Sequence, residues 1–276
     1  MASARLVPGP VSTEVRAWDD LIDGLMCWEI WGRLGWLEVK RRYRRTVIGP
    51  FWSAISICIF VFALGSVGSS LFHRDASDYM PFLASGMIVW VLLSNTITES
   101  CDLFIDGANL FRQLRFNYSV LAYALVWRTA IGFLHNLVVY VGIALIYAPH
   151  LLSPAALLAL PGLFVVAVNG VWIALALGML CQRFRDVQQL VTVILQLAMF
   201  VTPIFWSPNF MPAHDARFFV VIVNPLYYLV DIVRAPLLGQ VPSVATVLGA
   251  AFITVAGWVV TYQLFCHYRK RIAYWS

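Results

Sequence analysis

Residues 36–52 read WLEVKRRYRRTVIGPFW. Positions 40–45 hold five of the 19 Lys and Arg residues of the chain, directly before its first long uncharged stretch. That stretch, residues 48–71, can cross a hydrocarbon core of roughly 30 Å as a helix rising about 1.5 Å per residue. A dense basic cluster beside a span is retained in the cytoplasm. The segment therefore predicts a membrane span with a cytoplasmic N-terminus.

The composition also favours a membrane protein. Hydrophobic residues make up 61% of the 276 residues, and charged residues only 12%. A soluble domain carries about twice that share of charge. The net charge of +5 does not call for nucleic acid, because the excess lies beside the predicted spans, where anionic headgroups and membrane orientation account for it. We expect one integral membrane unit.

The cysteines and the N-terminus give no sign of a secreted domain. The five cysteines are odd in number and far apart, so they predict neither a disulfide framework nor a metal site. The first 47 residues contain no apolar core followed by a small-residue cleavage site, so we expect no cleaved signal peptide.

Uncharged stretches predict six membrane helices. They lie near residues 48–71, 80–100, 118–147, 154–181, 187–207 and 242–267. Pro149 and Pro154 mark the turn inside the long apolar region between Arg128 and Arg183, because proline favours turns and first helical positions. The apolar segment 218–230 is too short to cross and contains a proline. It predicts a re-entrant external hairpin between the fifth and sixth spans.

The distribution of basic residues tests this topology. Six spans put sixteen of the 19 Lys and Arg residues on the side of both termini, and only Arg74, Arg217 and Arg234 on the other. A seventh span would move the basic residues 269–271 outside, against this bias. The prediction is an all-α integral membrane fold. It has a cytoplasmic segment 1–47, a transmembrane domain 48–268 and a short cytoplasmic tail 269–276.

The segment before the basic cluster has helical periodicity. Apolar side chains recur near helical spacing at Trp18, Leu21, Ile22, Leu25 and Met26, and acidic residues occupy other positions of the first turns. This pattern predicts an amphipathic helix lying in the cytoplasmic membrane interface. The alternative is a cap helix packed on the other spans.

The sequence lacks the motifs of several enzyme classes. A phosphate-binding loop needs a lysine after a glycine, and neither Lys40 nor Lys270 has one. Few ionisable or amide groups lie deep in the predicted spans. We expect His135 to contact a neighbouring helix, and we expect the Arg128 side chain to extend towards the cytoplasmic membrane surface. A transport protein of this kind should draw its energy from a partner.

Two pairs of acids could suit an enzyme. Asp75 with Asp78, and Asp102 with Asp106, could supply the two carboxylates of a glycosidase-like site. Each pair lies at a predicted membrane boundary, where charges are solvated, and this simpler interpretation is favoured.

The order of several short motifs resembles the ABC-2 type permeases that export polysaccharides such as O-antigen, capsule and teichoic acid. The resemblance covers the chain from about Trp18 onward. The motifs are RRYRRTVIGPFW at 41–52, YMPFL at 79–83 with Gly86 and Trp90, NLFRQLRF at 109–116, RFRDV at 183–187, TPIFW at 202–206 and NPL at 224–226.

The resemblance implies a homodimer bound on its cytoplasmic side by two separate ATP-binding cassette subunits, which bind ATP and Mg, with no cofactor in this chain. The helix around residues 18–31 would be the interface helix, and the loop 102–116 would carry a coupling helix. The ATPase-coupling candidates are Asp102, Asp106, Asn109, Arg112 and Arg115. Such charges can orient a partner, although membrane orientation alone would also place arginines there.

The implied substrate is a glycan attached to a polyprenyl diphosphate lipid. Arg41, Arg42, Tyr43, Arg44 and Arg45 are the candidates to receive the diphosphate, because guanidinium groups bind phosphate oxygens in pairs. Aromatic faces could line a channel between two permeases. The channel candidates are Phe51, Trp52, Phe60, Phe200, Phe205 and Trp206, which could equally face lipid. The region 208–239 would form an external gate.

Other interpretations stay open. An ABC-2 exporter of a small amphiphile or drug would share this topology. A second alternative, from another functional class, is a membrane enzyme that acts on polyprenyl-linked sugars. A third is a structural membrane scaffold, which is favoured only by the absence of a recognisable active-site motif. For the favoured interpretation we expect a multi-pass protein of the bacterial inner (cytoplasmic) membrane with both termini in the cytoplasm.

Overall fold

The structure is a computed structural model that describes residues 13–44, 46–49, 51–107, 117–207 and 223–275. Within these residues it has nine α-helices and no strand, which confirms the predicted all-α class. The helices are α1 Thr13–Met26, α2 Trp28–Tyr43, α3 Phe51–Leu71, α4 Ala76–Asp106, α5 Ser119–Tyr147, α6 Ala159–Arg183, α7 Val187–Val201, α8 Pro225–Leu237 and α9 Val244–Trp275.

In the described part of the chain, five helical segments are long and apolar enough to cross a membrane. They are Phe51–Leu71, Ala76–Asp106, Ser119–Tyr147, Pro154–Arg183 and Val244–Arg269, where the fourth includes a short 3-10 helix before α6. The predicted span 187–207 is divided instead into the 15-residue α7 and a non-helical segment. Pro203 explains the early end, because it keeps the preceding Thr202 extended, with ψ at 134°.

α7 and the segment after it run beside α4 for most of its length. At one end the Gln188 amide donates to the Asp102 carboxylate at 2.8 Å. At the other end the Tyr79 hydroxyl donates to the Phe205 carbonyl at 2.7 Å. Tyr79 and Asp102 are roughly 35 Å apart along a helix that rises about 1.5 Å per residue. Residues 188–205 therefore cover that distance.

α4 is the centre of the bundle. Its middle turns bury Leu83, Ile88 and Val89 completely, and α3, α5, α6 and α8 surround it. Close approach of helices depends on small residues, as is usual in membranes. A Cβ placed on Gly162 of α6 would lie 2.5 Å from the Ile232 carbonyl oxygen of α8. These two backbones are therefore in direct contact.

The amphipathic N-terminal segment is two helices and not one. α1 ends at Met26 and α2 begins at Trp28, because Cys27 has a non-helical ψ of 42°. α1 buries Leu21 against α5 and α9, yet it leaves Trp18 56% exposed. The helix thus packs on the protein and still presents an apolar face outward. Its position in a membrane interface stays a prediction.

The N-terminal helix and the C-terminal end of α9 meet. The Arg269 guanidinium lies 2.7 Å from the Asp20 carboxylate, whose side chain is fully buried. Both ends of the described chain therefore lie at the same end of the bundle, which we call the termini end. The other end of the bundle is called the opposite end.

α8 starts and finishes later than the predicted hairpin segment 218–230. Asn224 caps it by accepting the Leu226 N–H at 3.0 Å, and Pro225 takes the first helical position. Its 13 residues are too few to cross a bilayer. The other arm of the predicted hairpin falls in residues 208–222, outside the described residues.

Candidate functional site

Four charged side chains form an ion-pair cluster near the termini end. Glu99 of α4 accepts Arg42 of α2 at 2.6 Å and Arg128 of α5 at 2.6 Å. Arg128 also contacts Glu38 of α2. We call this group of Glu38, Arg42, Glu99 and Arg128 the Glu99 cluster. It ties α2 to α4 and α5.

The Glu99 cluster is balanced in charge and only partly hydrated. Arg128 and Glu99 are 17% and 16% exposed, whereas Arg42 is 50% exposed. The pKa of Arg42 is raised above its ordinary value, because burial alone would lower it but the charge and hydrogen bond of Glu99 outweigh that effect. Removing one partner of such a pair leaves an uncompensated charge in a poorly solvated place. The cluster therefore fixes α2.

An open cavity of about 300 Å³ adjoins this cluster on the termini side. Three arginines and four carboxylates line it: Arg41, Arg42, Arg128, Glu38, Glu99, Asp102 and Asp106. The arginines predicted to receive a diphosphate are therefore opposed by acids. An anion that binds Arg42 competes with Glu99 for its guanidinium group.

Two of the predicted diphosphate residues, Arg41 and Arg42, line this cavity. Arg41, Arg42 and Tyr43 end α2, and Arg44 follows directly. The side chains of Arg41 and Arg44 are exposed. Arg45 lies outside the described residues.

Deeper in the bundle, His135 of α5 contacts another helix, α3, as predicted. Its Nδ1 lies 2.8 Å from the Ile131 carbonyl oxygen, and its ring meets Phe51 edge-on at 5.5 Å. Asn169 is also satisfied, since it donates to Thr254 at 2.7 Å. These groups serve helix packing.

The predicted coupling residues are only partly described. Asp102 accepts the Gln188 amide at 2.8 Å, and Asp106 is the last residue of α4. Asn109, Arg112 and Arg115 lie outside the described residues.

Asp20 contacts the residues that follow the predicted coupling loop. It was not singled out from the sequence. Its carboxylate accepts the Ser119 N–H at 3.1 Å at the start of α5, and it also binds Arg269. The Ser119 hydroxyl donates back to the Asp20 carbonyl at 2.6 Å. Asp20 therefore joins α1, α5 and α9 directly after the predicted coupling loop. The sequence signal was weak, because two other acids, Asp19 and Asp23, lie beside it.

The predicted channel aromatics fall into two groups. Phe205 lies 6.0 Å from Phe60 and 5.9 Å from Phe200, between ring centroids. The Trp206 indole donates to the Phe200 carbonyl at 3.1 Å. Phe51 and Trp52 instead begin α3, away from this cluster. The structure thus brings four of the six residues together along α3 and the end of α7.

α7 carries a polar stripe that sequence reasoning missed. Gln189, Thr192 and Gln196 recur at helical spacing, and all three are exposed in the protomer. The exposed side chains of α9 between residues 244 and 260 are all apolar. Polar groups in membrane helices usually face protein or water, and not lipid. The i, i+3, i+7 spacing is the signal that could have revealed the stripe.

A second, larger cavity of about 680 Å³ lies at the opposite end of the bundle. The described residues that line it belong to α4, to α8 and to the segments 148–151 and 238–243, together with Arg74 and Ser207. Arg234, which the charge count treated as an ordinary external arginine, lies in its wall and is only 3% exposed. Among the described residues no cluster of His, Cys, Asp and Glu is arranged to hold a metal ion.

Comparisons with known proteins agree with this architecture. The sequence profile of the family described as "ABC-2 type transporter" matches residues 31–238. An O-antigen export system permease protein RfbA of Klebsiella pneumoniae is 22% identical over 193 residues, which cover 68% of this chain and 72% of the relative. An O-antigen export system permease protein RfbA of Myxococcus xanthus is 20% identical over 202 residues, which cover 72% and 76%.

Proposed function

This chain belongs to the ABC-2 type transporter family, and we propose that it is the permease subunit of an exporter of a polyprenyl-diphosphate-linked, O-antigen-like polysaccharide. Members of the family are multi-pass membrane subunits of transporters, and ATP hydrolysis by a separate subunit is consistent with the family. The observation that carries the proposal is the exposed face of α7. There a polar stripe adjoins aromatic side chains, as a path for sugars requires.

In this proposal the chain crosses the membrane six times. α7 with residues 202–207 is the fifth crossing, which is supported by its contacts with both ends of α4. The meeting of Asp20 and Arg269 at one end supports an even number of crossings. The basic residues place that end in the cytoplasm of a bacterium, at its inner membrane. The transmembrane domain is residues 48–268, between the cytoplasmic segments 1–47 and 269–276.

Two copies of the chain form the channel. The polar stripe of Gln189, Thr192 and Gln196 would be unfavourable against lipid, so we place it against water and a second copy. Phe60, Phe200, Phe205 and Trp206 then lie beside it as apolar surfaces for sugar rings. Phe51 and Trp52 line the cytoplasmic mouth. The re-entrant segment that contains α8 closes the external mouth.

The energy comes from two ATP-binding cassette subunits that bind ATP and Mg. They dock on the termini end, at the loop that follows Asp102 and Asp106 and includes Asn109, Arg112 and Arg115. The direct bonds between Asp20 and the start of α5 support this role, because they connect that loop to α1.

The lipid diphosphate enters near the end of α2. Arg41 and Arg44 offer exposed guanidinium groups there, with Tyr43 and Arg45 beside them in sequence. Arg42 takes part by leaving Glu99. Neutralising Arg41 and Arg44 together should impair export without disturbing dimer assembly, since neither forms part of the Glu99 cluster.

The test is glycan export in cells. Deleting the chain is expected to remove the polysaccharide from the surface and to accumulate it, lipid-linked, in the cytoplasm. The variant Gln189→Leu, Thr192→Val, Gln196→Leu should restore little export, whereas Val247→Leu, Val255→Leu, Val259→Leu on the exposed face of α9 should restore it.

The alternatives give different results. Unchanged surface polysaccharide after deletion, together with altered sensitivity to amphiphiles, would indicate a small-molecule exporter. Turnover of a polyprenyl-linked sugar by the purified chain alone, without any ATPase subunit, would indicate an enzyme.

A further inference from the structure

The cavity at the opposite end lies within one protomer. Its volume of about 680 Å³ falls in the range of roughly 300–1,000 Å³ that is usual for ligand sites. The first turns of α4 form one wall, with Ser77 and Phe82, and α8 forms another, with Tyr227. It is distinct from the exposed stripe of α7, where two protomers would meet.

The polar floor of the cavity is held in a fixed position. Arg234 donates to the Pro203 carbonyl at 2.5 Å and to the Asp231 carboxylate at 3.2 Å, and its guanidinium lies 4.7 Å from the centre of the Phe82 ring. Thr246 donates to the other carboxylate oxygen of Asp231 at 2.8 Å. Such interlocked groups need little rearrangement to bind a ligand.

The formal charges of the described lining residues cancel. Arg74 and Arg234 are matched in number by Asp78 and Asp231, with His150 counted as neutral. A cavity with no excess positive charge gives no advantage to a diphosphate or another anion. This separates it from the basic residues at the end of α2.

The uncharged part of the lining combines aromatic faces with hydrogen-bonding groups. Tyr227 is half-buried and supplies ring surface, while Ser77, Ser243 and Gln240 supply hydroxyl and amide groups. The Phe82 ring is covered by Arg234 and Tyr79 and supports this wall from behind. Neutral sugars offer the complementary surfaces, since their C–H faces suit aromatic rings and their hydroxyls both donate and accept. A phospholipid headgroup would lack these matching faces and would bring a charged phosphate.

We propose that this cavity is a saccharide-binding site for a neutral segment of the exported glycan, built within each protomer at the opposite end of the membrane. The identity of its ligand as exported glycan rests on the proposed function, but the site itself is defined by its own lining. It would hold the glycan where the glycan leaves the channel.

The test uses the full chain in lipid nanodiscs and saturation-transfer NMR, with D-galactose, D-mannose, L-rhamnose and lactose as probes. At least one probe is expected to receive saturation from the protein. Tyr227→Ala should weaken its binding roughly tenfold, the scale of a lost aromatic contact, whereas Tyr227→Phe should keep it. Ser77→Trp fills the cavity and should abolish binding, and Ala251→Trp on the exposed face of α9 is its control.

Three results would overturn the proposal. These are no transfer to any of the four probes, equal transfer in Ser77→Trp and Ala251→Trp, or a phospholipid that native mass spectrometry finds bound and that Ser77→Trp releases. Failure of the proposed function would look different. Deleting the chain would then leave surface polysaccharide unchanged, while the purified chain would still bind the probes in this cavity.

Discussion

At the scale of single residues, Asp20 connects three helices that are far apart in sequence. Its side chain is fully buried, and it is bonded to the start of α5 and to Arg269 of α9. A carboxylate in such a place is stable only with its partners. Asp20 therefore serves as a helix cap and as an ion-pair partner for elements that are far apart in sequence.

Asp20→Asn should lower the free energy of unfolding by about 3 kcal/mol, because it leaves Arg269 without its charged partner. Chemical unfolding of the purified chain in detergent would measure the loss. Asp19→Asn is the control, since Asp19 is exposed on the same helix. Equal stability of the two variants would contradict the role given to Asp20.

Glu99 offers a second test at this scale. If a diphosphate displaces Glu99 from Arg42, then Glu99→Gln should strengthen binding of soluble pyrophosphate roughly tenfold at low salt. Arg42→Gln should weaken it, and calorimetry on the full chain would measure both. Asp78→Asn at the opposite end is the control. Unchanged affinity in Glu99→Gln would mean that Glu99 does not compete with the anion for Arg42.

The sequence predicted the arginines of this region but not their arrangement. Arg41, Arg42 and Arg44 stand out because they are adjacent in the chain. Glu99 and Arg128 join them only through the packing of α4 and α5, and nothing in the local sequence pairs them. Asp20 and Arg234 were missed for the same reason, since both are buried by distant elements.

At the scale of elements, α7 is the helix that the sequence described least well. Residues 187–207 were predicted as one span, but Pro203 ends the regular helix early. The break between α1 and α2 was also unexpected, because Cys27 carries no turn signal of the kind that Gly or Pro gives. α5 agrees closely with the predicted span 118–147, whereas α4 and α9 continue past the predicted ends 100 and 267 because charged residues at a membrane boundary do not end a helix.

The crossing by α7 can be tested from its two sides. In a background without native cysteines, Arg185→Cys should react with a membrane-impermeant maleimide only from the cytoplasmic side, and Val223→Cys only from the outside. Both positions are exposed, so reagent access does not limit the reaction. Labelling of the two from the same side would contradict six spans.

The contact between α6 and α8 gives a prediction of its own. Gly162→Ala should lower the thermal unfolding temperature, because its new methyl group would lie 2.5 Å from the Ile232 carbonyl oxygen, which is backbone and cannot rotate away. Gly142→Ala is the matched control, since a Cβ there meets nothing within 4 Å. Thermal unfolding in nanodiscs, followed by circular dichroism, would compare them. Similar temperatures for both variants would mean that the two helices can separate at little cost.

At the scale of the whole molecule, the exposed faces of α7 and α9 differ in chemistry and predict different surroundings. If α7 meets a second copy, Leu197→Cys, which is 63% exposed, should form a disulfide-linked dimer of twice 31.0 kDa in native membranes under mild oxidation. Phe252→Cys on α9, which is 74% exposed, should not. Both variants are made in a background without native cysteines. Electrophoresis without reductant then shows whether the cross-linked dimer has formed. Cross-linking at Phe252 alone would place the dimer contact on α9.

The short α7 also bears on how the chain is inserted during synthesis. α9 is apolar enough to partition into the bilayer by itself, with a mean hydropathy of 2.0 over its most apolar stretch. α7 is also apolar, but its 15 helical residues are too few to span the bilayer by themselves, and Gln189, Thr192 and Gln196 are exposed. Gln188 of α7 and Phe205 of the following segment are bonded to Asp102 and Tyr79 of α4. We therefore expect α7 to leave the translocon only after α4 is available as a template.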